Sequence, residues 1–485
     1  MPASLVPLPR LVEWTQADPL LLDADTTLVV GTSAAETALG ALAAERLSLA
    51  AGRPIPLAQE ESPRRASGRL VFRFNDEVAE GYTLTVDSEG ALVEAATVES
   101  LVHGLATLRQ VFGPGSDATS IPAVRIEDAP RFGWRGLSLD IARHFFGPED
   151  LRQVIDLLAD YKLNVLHLHL SDDQGWRIQL DSRPALTELS GQSAVDGDPA
   201  GFLTAEEYVS LVDYAAVRGI QVVPEVDVPG HVNAAQHALP ELNPDGEPTE
   251  VYTGIEVGFS KLSADLPATE PFLRDVFGEL AAMTPGGYLH IGGDEVLSME
   301  STEYARLVDM AARAVRDAGK QVIGWQEIAT TPLEPGTVVQ YWEPKEDLSF
   351  FAEAARSGAR FIMSPGSKAY LDMKYHEGFP LGLQWAGFVP LQTAYDWEPT
   401  ELIDGVPAES VLGVEAAIWT ETLRTLDDLT TMLLPRLGAV AEVAWTAPED
   451  RHWDDFTVRI AGQAADWRAR GLAFHPAEPV QWPEG

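Results

Sequence analysis

The stretch YLHIGGDEV, residues 288–296, climbs through an apolar run, relaxes into two glycines and then sets Asp294 directly beside Glu295. An apolar run of strand length that releases into carboxylates reads as a strand buried on both faces, with chemistry at its C-terminal end. The pattern recurs throughout the chain beyond Arg131. GLSLDIA (136–142), NVLHLHL (164–170), IQVVPEVD (220–227), QVIGW (321–325), TVVQYW (337–342), RFIMSP (360–365) and GVEAAIW (413–419) bring the number of such runs to eight. Helical segments stand between several of them: PEDLRQVIDLLADYK (148–162), AEEYVSLVDYAAVRG (205–219) and TEYARLVDMAARAVRDAGK (302–320). Each closes near Gly or Lys, as a helix preceding a new strand does. This alternation predicts a closed (β/α)8 TIM barrel of the α/β class, with a doubly wound open sheet as the structural alternative.

Upstream, residues 26–112 mix short extended and helical segments. TTLVV and RLVFRF read as strands, GYTLTVDSEGALVEA as a hairpin turning at Asp87 to Gly90, and AAETALGALAAERLSLA as a helix. TVESLVHGLATLRQVF reads as an amphipathic helix opened by Thr97. A small α/β domain closing near residue 125 follows, with FGPGSDATSIP (112–122) as its exit loop. The expected division is a small α/β N-terminal domain over 1–128 and a barrel catalytic domain with a C-terminal helical segment over 129–485.

Length supports that division, since 485 residues exceed what one hydrophobic core normally serves. The 34 basic and 74 acidic residues give a formal charge of −40, which repels a phosphate backbone and an anionic membrane surface alike. Neither nucleic acid nor membrane is expected as a partner. The absence of cysteine excludes disulfides, thiolate metal sites and a cysteine nucleophile. MPASLVPLPRLVEW lacks the basic start and continuous apolar stretch of a signal peptide, and no window approaches the ~18 apolar residues of a membrane span. The cytoplasm is the expected compartment.

Active sites of such barrels gather at the C-terminal strand ends. Here these ends carry Asp140 and Arg143; Asp172, Asp173 and Trp176; Glu225, Asp227 and His231; Asp294 and Glu295; Trp325, Trp342 and Trp419; and, after RFIMSP, Tyr370 and Asp372. Singly, each has a plain structural reading. Tryptophan is often core, Arg143 an ion-pair partner, His231 a loop brace, and Asp294 with Glu295 a helix N-terminus. Together they are harder to dismiss, because a barrel gains nothing from crowding desolvation-sensitive groups at one rim.

Tryptophan faces among carboxylates and an arginine suit a pyranose, with its apolar C–H faces and fixed hydroxyls. Glycoside hydrolysis also needs a protonated carboxyl at the leaving oxygen. The usual carboxylate pair faces itself across the sugar at roughly 5 to 9.5 Å. Asp294 and Glu295 have Cα atoms only ~3.8 Å apart, and on a continuing strand would point to opposite sides. They suit two neighbours acting on one substrate while something else attacks the anomeric carbon.

RGLSLDIARHFF, LHLHLSDDQGWRIQL, VPEVDVPGH, LHIGGDEV, GWQEI, VQYW, AYLDMKY and EAAIWTET stand in the order of the motifs of glycoside hydrolase family 20, the β-N-acetylhexosaminidases, which the chain resembles over most of residues 131–446. The resemblance implies an exo-acting, retaining enzyme whose nucleophile is the carbonyl oxygen of the substrate's own 2-acetamido group, closing onto C1 as an oxazolinium. By the same resemblance Glu295 is the general acid and then the base. Asp294 holds the acetamide N–H, Tyr370 the acetamide oxygen, and Asp172 with His231 tunes Glu295. Arg143 and Glu421 would bind the 3- and 4-hydroxyls and Asp372 the 4- or 6-hydroxyl. Trp419 would floor the sugar, Trp325 and Trp342 enclose the acetamide methyl, and Trp385 reach a second sugar. Residues 181–204 and 232–285 match least and are expected as rim loops. The implied partner is an oligosaccharide or glycoconjugate ending in N-acetylhexosamine, GlcNAc or GalNAc, and neither a cofactor nor a metal is implied.

Two rivals remain open on the residues alone. His167 and His169, two apart, have metal-ligand spacing and with His231 and Asp294 would build a metal-dependent barrel hydrolase. A sugar-binding protein that kept the pocket and lost the chemistry is the other.

Overall fold

The computed structural model describes residues 4–112, 119–344 and 348–483. The N-terminal part is a mixed seven-stranded sheet with spatial order 11–14, 124–128, 82–87, 90–95, 69–74, 27–30 and 57–59. The hairpin turns where expected, with Asp87 opposite Gly90. Helices α1 (Ala34–Ala51) and α2 (Val98–Phe112) lie against the sheet, and Thr97 accepts the Ser100 N–H at 3.2 Å. The expected exit loop is corrected. Ser120–Ile121 pairs back onto Leu20–Leu21 and Val124–Asp128 enters the sheet between two strands, so the chain leaves this domain only after Asp128. Residues 113–118 of that loop lie outside the described residues.

All eight expected runs form a closed parallel barrel: β1 (Trp134–Asp140), β2 (Val165–His169), β3 (Gln221–Glu225), β4 (Tyr288–His290), β5 (Gln321–Trp325), β6 (Val338–Tyr341), β7 (Arg360–Met363) and β8 (Val411–Ile418), with β8 closing on β1. Helix α3 (Pro148–Asp160) shows why the connecting segments fold as they do. Pro148 opens it, Glu149 and Asp150 sit at its positive end, and Leu151, Val154, Ile155 and Leu158 form one buried stripe. The outer ring is not uniform, since a 3-10 turn at Gln326–Thr330 links β5 to β6. The expectation of loops over 232–285 is corrected too: Thr269–Met283 is a regular helix whose Phe272, Val276, Phe277 and Leu280 are buried. Among the described residues no helix is long and apolar enough to cross a membrane.

The two parts share ionic and apolar contacts. Trp445, from the helix Arg436–Trp445 after the barrel, is buried in the small domain's core and donates to Asp128 at 2.9 Å. Asp160, at the end of α3, meets Arg46 of α1, Arg109 of α2 at 3.1 Å and Arg470 at 2.5 Å. Burial alone would raise the Asp160 pKa, but the three guanidinium groups hold it well below the carboxylate range. A depressed pKa contributes stability above the ordinary value of 3.8 that is lost as pH falls below it. Asp160→Asn is therefore expected to cost about 3 kcal/mol in denaturant unfolding at pH 7, with the gap to the parent narrowing as pH drops under that value.

Candidate active site

The barrel interior is layered. Trp134, Val165, Val223, Ile323, Val338 and Ile362 plug its lower end. Because side chains alternate along a strand, the next inward positions stand directly above them, and these include His167, Glu225, Gln340 and Ser364, joined by Glu415 of β8, all wholly or almost wholly buried. Glu415 accepts from Trp134 Nε1 at 2.8 Å and Gln340 Nε2 at 2.9 Å and lies 2.9 Å from His167 Nδ1. Gly136 makes room for it, since a Cβ there would sit 2.3 Å from Glu415 Oε2. Glu225 accepts from Trp325 Nε1 at 2.7 Å and lies 2.7 Å from His169 Nδ1 and 3.0 Å from His290 Nδ1. The histidines that suggested a metal site thus have their own carboxylate partners.

His169 carries this network up to the pocket, its Nε2 lying 2.9 Å from Asp172 Oδ2. Burial disfavours the imidazolium, yet Glu225 and Asp172 outweigh it and lift the His169 pKa to about 10. The same Asp172 carboxylate meets Arg143 Nη2 at 2.8 Å and His231 Nδ1 at 3.1 Å. Burial pushes the Asp172 pKa up, but these cations hold it well below its usual value. His231 in turn lies 3.4 Å from Glu295 Oε2 and 3.8 Å from Asp294 Oδ2.

The strand that leads to the paired carboxylates stops at His290. Gly292 (φ 70°) and Gly293 (φ 114°) then turn the chain, and Glu295 itself sits at φ 51°. Gly292 has no alternative, because a Cβ would fall 1.7 Å from Asp227 Oδ1, which accepts the Gly293 N–H at 3.0 Å. This turn overrides the strand-like opposition of neighbouring side chains and brings both carboxylates toward one histidine. The following helix starts only at Ser301, so the pair does not cap it. The Asp294 side chain is 11% exposed and that of Glu295 29%, which puts Asp294 inside and Glu295 at the mouth. Burial, aided by Glu295 and opposed by His231, pushes the Asp294 pKa up to about 7.

Aromatic rings line the remainder. The Trp419 ring centroid lies 5.8 Å from that of Trp325, 4.9 Å from His169 and 6.2 Å from Tyr370, and Arg143 stands 5.0 Å over it. Tyr370 stacks near Trp342 at 6.4 Å, and both meet the edge of half-exposed Trp385 at 5.6 Å. Asp372 is 1% exposed and, among the described residues, no side chain donates to either carboxylate oxygen, while the backbone N–H groups of Asp372 and Trp419 lie beside them. Burial and the nearby Glu421 raise its pKa well above the usual value. Glu421 is raised by burial as well, with Arg143 opposing.

Comparison with known proteins decides the family. Residues 132–448 match the model of the glycosyl hydrolase family 20 catalytic domain and residues 3–129 that of the family's domain 2. The chain is 56% identical over 484 residues to a β-N-acetylhexosaminidase of Cellulomonas fimi, covering 99% of this chain and 97% of that protein. The chain belongs to glycosyl hydrolase family 20. Its fold matches a mutant Streptomyces plicatus β-hexosaminidase in complex with its product GlcNAc, with TM-score 0.94 and 40% identity over 100% of this chain and 98% of that one. A family 20 β-N-acetylhexosaminidase of Streptomyces coelicolor superposes with TM-score 0.92 at 38% identity, over 100% and 99%.

In this family 20 chain, Arg143, Asp172, His231, Asp294 and Glu295 are joined by ionic contacts, and Trp325, Trp342, Tyr370, Trp385 and Trp419 by ring contacts. Trp176, noted at a strand end, is instead core, its indole N–H donating to Ile178 O at 2.7 Å. Other parts of the site went unassigned in the sequence reading. Asp140 accepts from the Ala142 and Arg143 N–H groups and from the Thr420 N–H and hydroxyl, tying the end of β1 to the end of β8. Arg177 donates to Ile141 O and Ala142 O, just before Arg143, and to carbonyls of Gly191, Ser193 and Gly201. Asp140 and Glu225 carried a visible signal, an acid at the end of an apolar run. Arg177 carried none, because its partners are backbone.

The raised Asp294 pKa implies a stability cost. A carboxylate whose folded pKa exceeds its unfolded value destabilises the fold as pH rises through the window from 3.8 to about 7. Asp294→Asn is expected to melt higher than the parent, by a margin that widens across that window and then levels off, in thermal scans between pH 4 and 8.

Proposed function

We propose that this pocket removes terminal, non-reducing N-acetyl-β-D-hexosamine residues from oligosaccharides or glycoconjugates, with the substrate's acetamide as nucleophile. One observation carries the reading: Asp294 and Glu295 are sequence neighbours that approach the same imidazole at 3.8 and 3.4 Å, an arrangement that suits two groups acting from one side on one substrate. The attacking atom then comes from the substrate, where an acetamide tethered at C2 gains the advantage of an intramolecular reaction.

The roles follow from placement. Glu295, at the mouth, protonates the leaving oxygen as the C1–O bond breaks and the acetamide oxygen closes onto C1. It then takes a proton from the water that opens the oxazolinium, so the β configuration is retained. Asp294, deeper and desolvated, accepts from the acetamide N–H. Positive charge developing on the ring stabilises its carboxylate form, so its interaction strengthens toward the transition state. The Tyr370 hydroxyl, within the field of Asp294, donates to the acetamide oxygen, and Trp342 with Trp325 encloses the methyl group. Arg143, Glu421 and the unpartnered oxygens of Asp372 close the hydroxyl end, which fits a terminal sugar and supports exo action. Trp385, 49% exposed, stands where a second sugar would leave. The GlcNAc bound as product by the S. plicatus relative supports GlcNAc as substrate, with GalNAc distinguished only around the 4-hydroxyl.

The test compares nitrophenol release from the N-acetyl-β-glucosaminide and the plain β-glucoside. Turnover of the first with almost none of the second is expected, because only the first carries its nucleophile. Glu295→Gln and Asp294→Asn should each lower kcat/KM by roughly 10²-fold or more, without rescue of Asp294→Asn by azide. Comparable hydrolysis of both sugars rejects the mechanism.

A further inference from the structure

Arg436 is fully buried and, among the described residues, forms no ion pair with a carboxylate. Its five N–H donors are instead used on backbone carbonyls: Nε on Met432 at 3.2 Å, Nη1 on Met373 at 2.7 Å and Val389 at 2.8 Å, and Nη2 on Leu371 and on Met432 at 2.9 Å. The guanidinium also lies 3.7 Å over the Tyr375 ring. A planar fork with every donor occupied fixes its acceptors in direction as well as distance, which a lysine cannot do. Two of those acceptors, Leu371 O and Met373 O, flank Asp372.

Asp372 is the group in the pocket most in need of such support. Among the described residues no side chain donates to its oxygens, so its rotamer is set by the backbone around it, including the Trp419 N–H. Its backbone is tied otherwise by Leu371 N–H to Ala417 O of β8 at 2.7 Å and by Leu383 N–H to Asp372 O at 3.1 Å. Burial and Glu421 raise its pKa well above the usual value, and the Arg436 charge opposes them only after the backbone N–H groups of Asp372 and Trp419. Arg177 grips the carbonyls ahead of Arg143 in the same manner, on the other arm of the pocket.

Resting on the reading of the site as a hexosaminide pocket, we propose that Arg436 is the positioning residue of Asp372. It holds the carbonyls of the residues on either side so that the carboxylate faces a sugar hydroxyl, and it thereby sets affinity for the terminal sugar rather than the rate of bond cleavage.

The test measures kcat and KM on nitrophenyl N-acetyl-β-glucosaminide, and the Kd for GlcNAc, in Arg436→Gln and Arg436→Lys, alone and combined with Asp372→Asn. Arg436→Gln should raise KM and Kd roughly tenfold with kcat within about threefold, Arg436→Lys should fall between it and the parent, and neither should add more than about twofold to Asp372→Asn. Gly382→Ala is the independent probe should the arginine variants fail to fold. Gly382 sits at φ 88° and a Cβ would lie 2.1 Å from Asp372 O, so the methyl displaces the Asp372 carbonyl, which lies between the two carbonyls Arg436 holds, with Arg436 in place. It should reproduce the rise in KM and Kd. Full additivity with Asp372→Asn, a fall in kcat at unchanged Kd, or a Gly382→Ala enzyme with unchanged Kd overturns the assignment. A parent enzyme that leaves the N-acetyl substrate intact rejects the pocket reading instead.

Discussion

The Asp172 carboxylate faces three cations in a site closed to solvent: Arg143, His169 and His231. Without the anion the buried Arg143 would lose a charge partner and the two imidazoles a main cause of their protonation, so the carboxylate fixes the charge state of the whole group. The shared carboxylate also makes the two working halves of the pocket one unit. Arg143 and His231, the latter leading on to Glu295 and Asp294, are each oriented by an oxygen of the same group. Below it, Glu225 and Glu415 repeat the alternation of charge through His169 and His167 down to the apolar plug. The barrel's polar core is therefore the foundation of the site and is costly to build for any other purpose.

This explains which parts of the molecule were legible in the sequence. The eight strands could be read because each is flanked by core on one side and barrel interior on the other, and apolar runs of that length are hard to mistake once eight are in order. Asp172, His231, Asp294 and Glu295 were visible as polar residues released at strand ends. The histidines of LHLHL were visible too, but a period of two assigns them to one face without saying what shares it. Their partners Glu225 and Glu415 come from strands 56 and 248 residues away along the chain, and only closure of the barrel brings them together. The loop 112–122 was misplaced as the small domain's exit for a related reason, since Val124–Asp128 beyond it pairs with a strand some forty residues earlier rather than with its neighbours in sequence, while the expected division at residue 128 agrees with the sheet.

The paired acids show how local backbone geometry can replace spacing as the source of function. Gly292 and Gly293 are needed for the turn, but the decisive step is at Glu295, a non-glycine residue in the left-handed region. His231, which both carboxylates approach, has the same conformation at φ 54°. Strain of this kind costs on the order of 1–3 kcal/mol per residue and persists only where surrounding contacts over-determine it. Here it converts adjacency in sequence, which on a strand would separate the side chains, into convergence on one ring.

Saturation distinguishes the groups that support the pocket from those that face a ligand. Arg177, Arg436, Glu225 and Asp140 have their hydrogen-bonding capacity met by protein, and such groups hold geometry without responding to what enters. Asp372 Oδ1 and Oδ2, Asp294 Oδ1, Arg143 Nε and His231 Nε2 are buried without a hydrogen-bond partner. Each unmet group carries a desolvation cost of about 1–3 kcal/mol that a well-placed hydroxyl or amide relieves. A ligand that satisfies both Asp372 and Asp294 must present a hydrogen-bond donor to each, which a sugar bearing a 2-acetamido N–H and a distal hydroxyl does and a plain hexose does only in part.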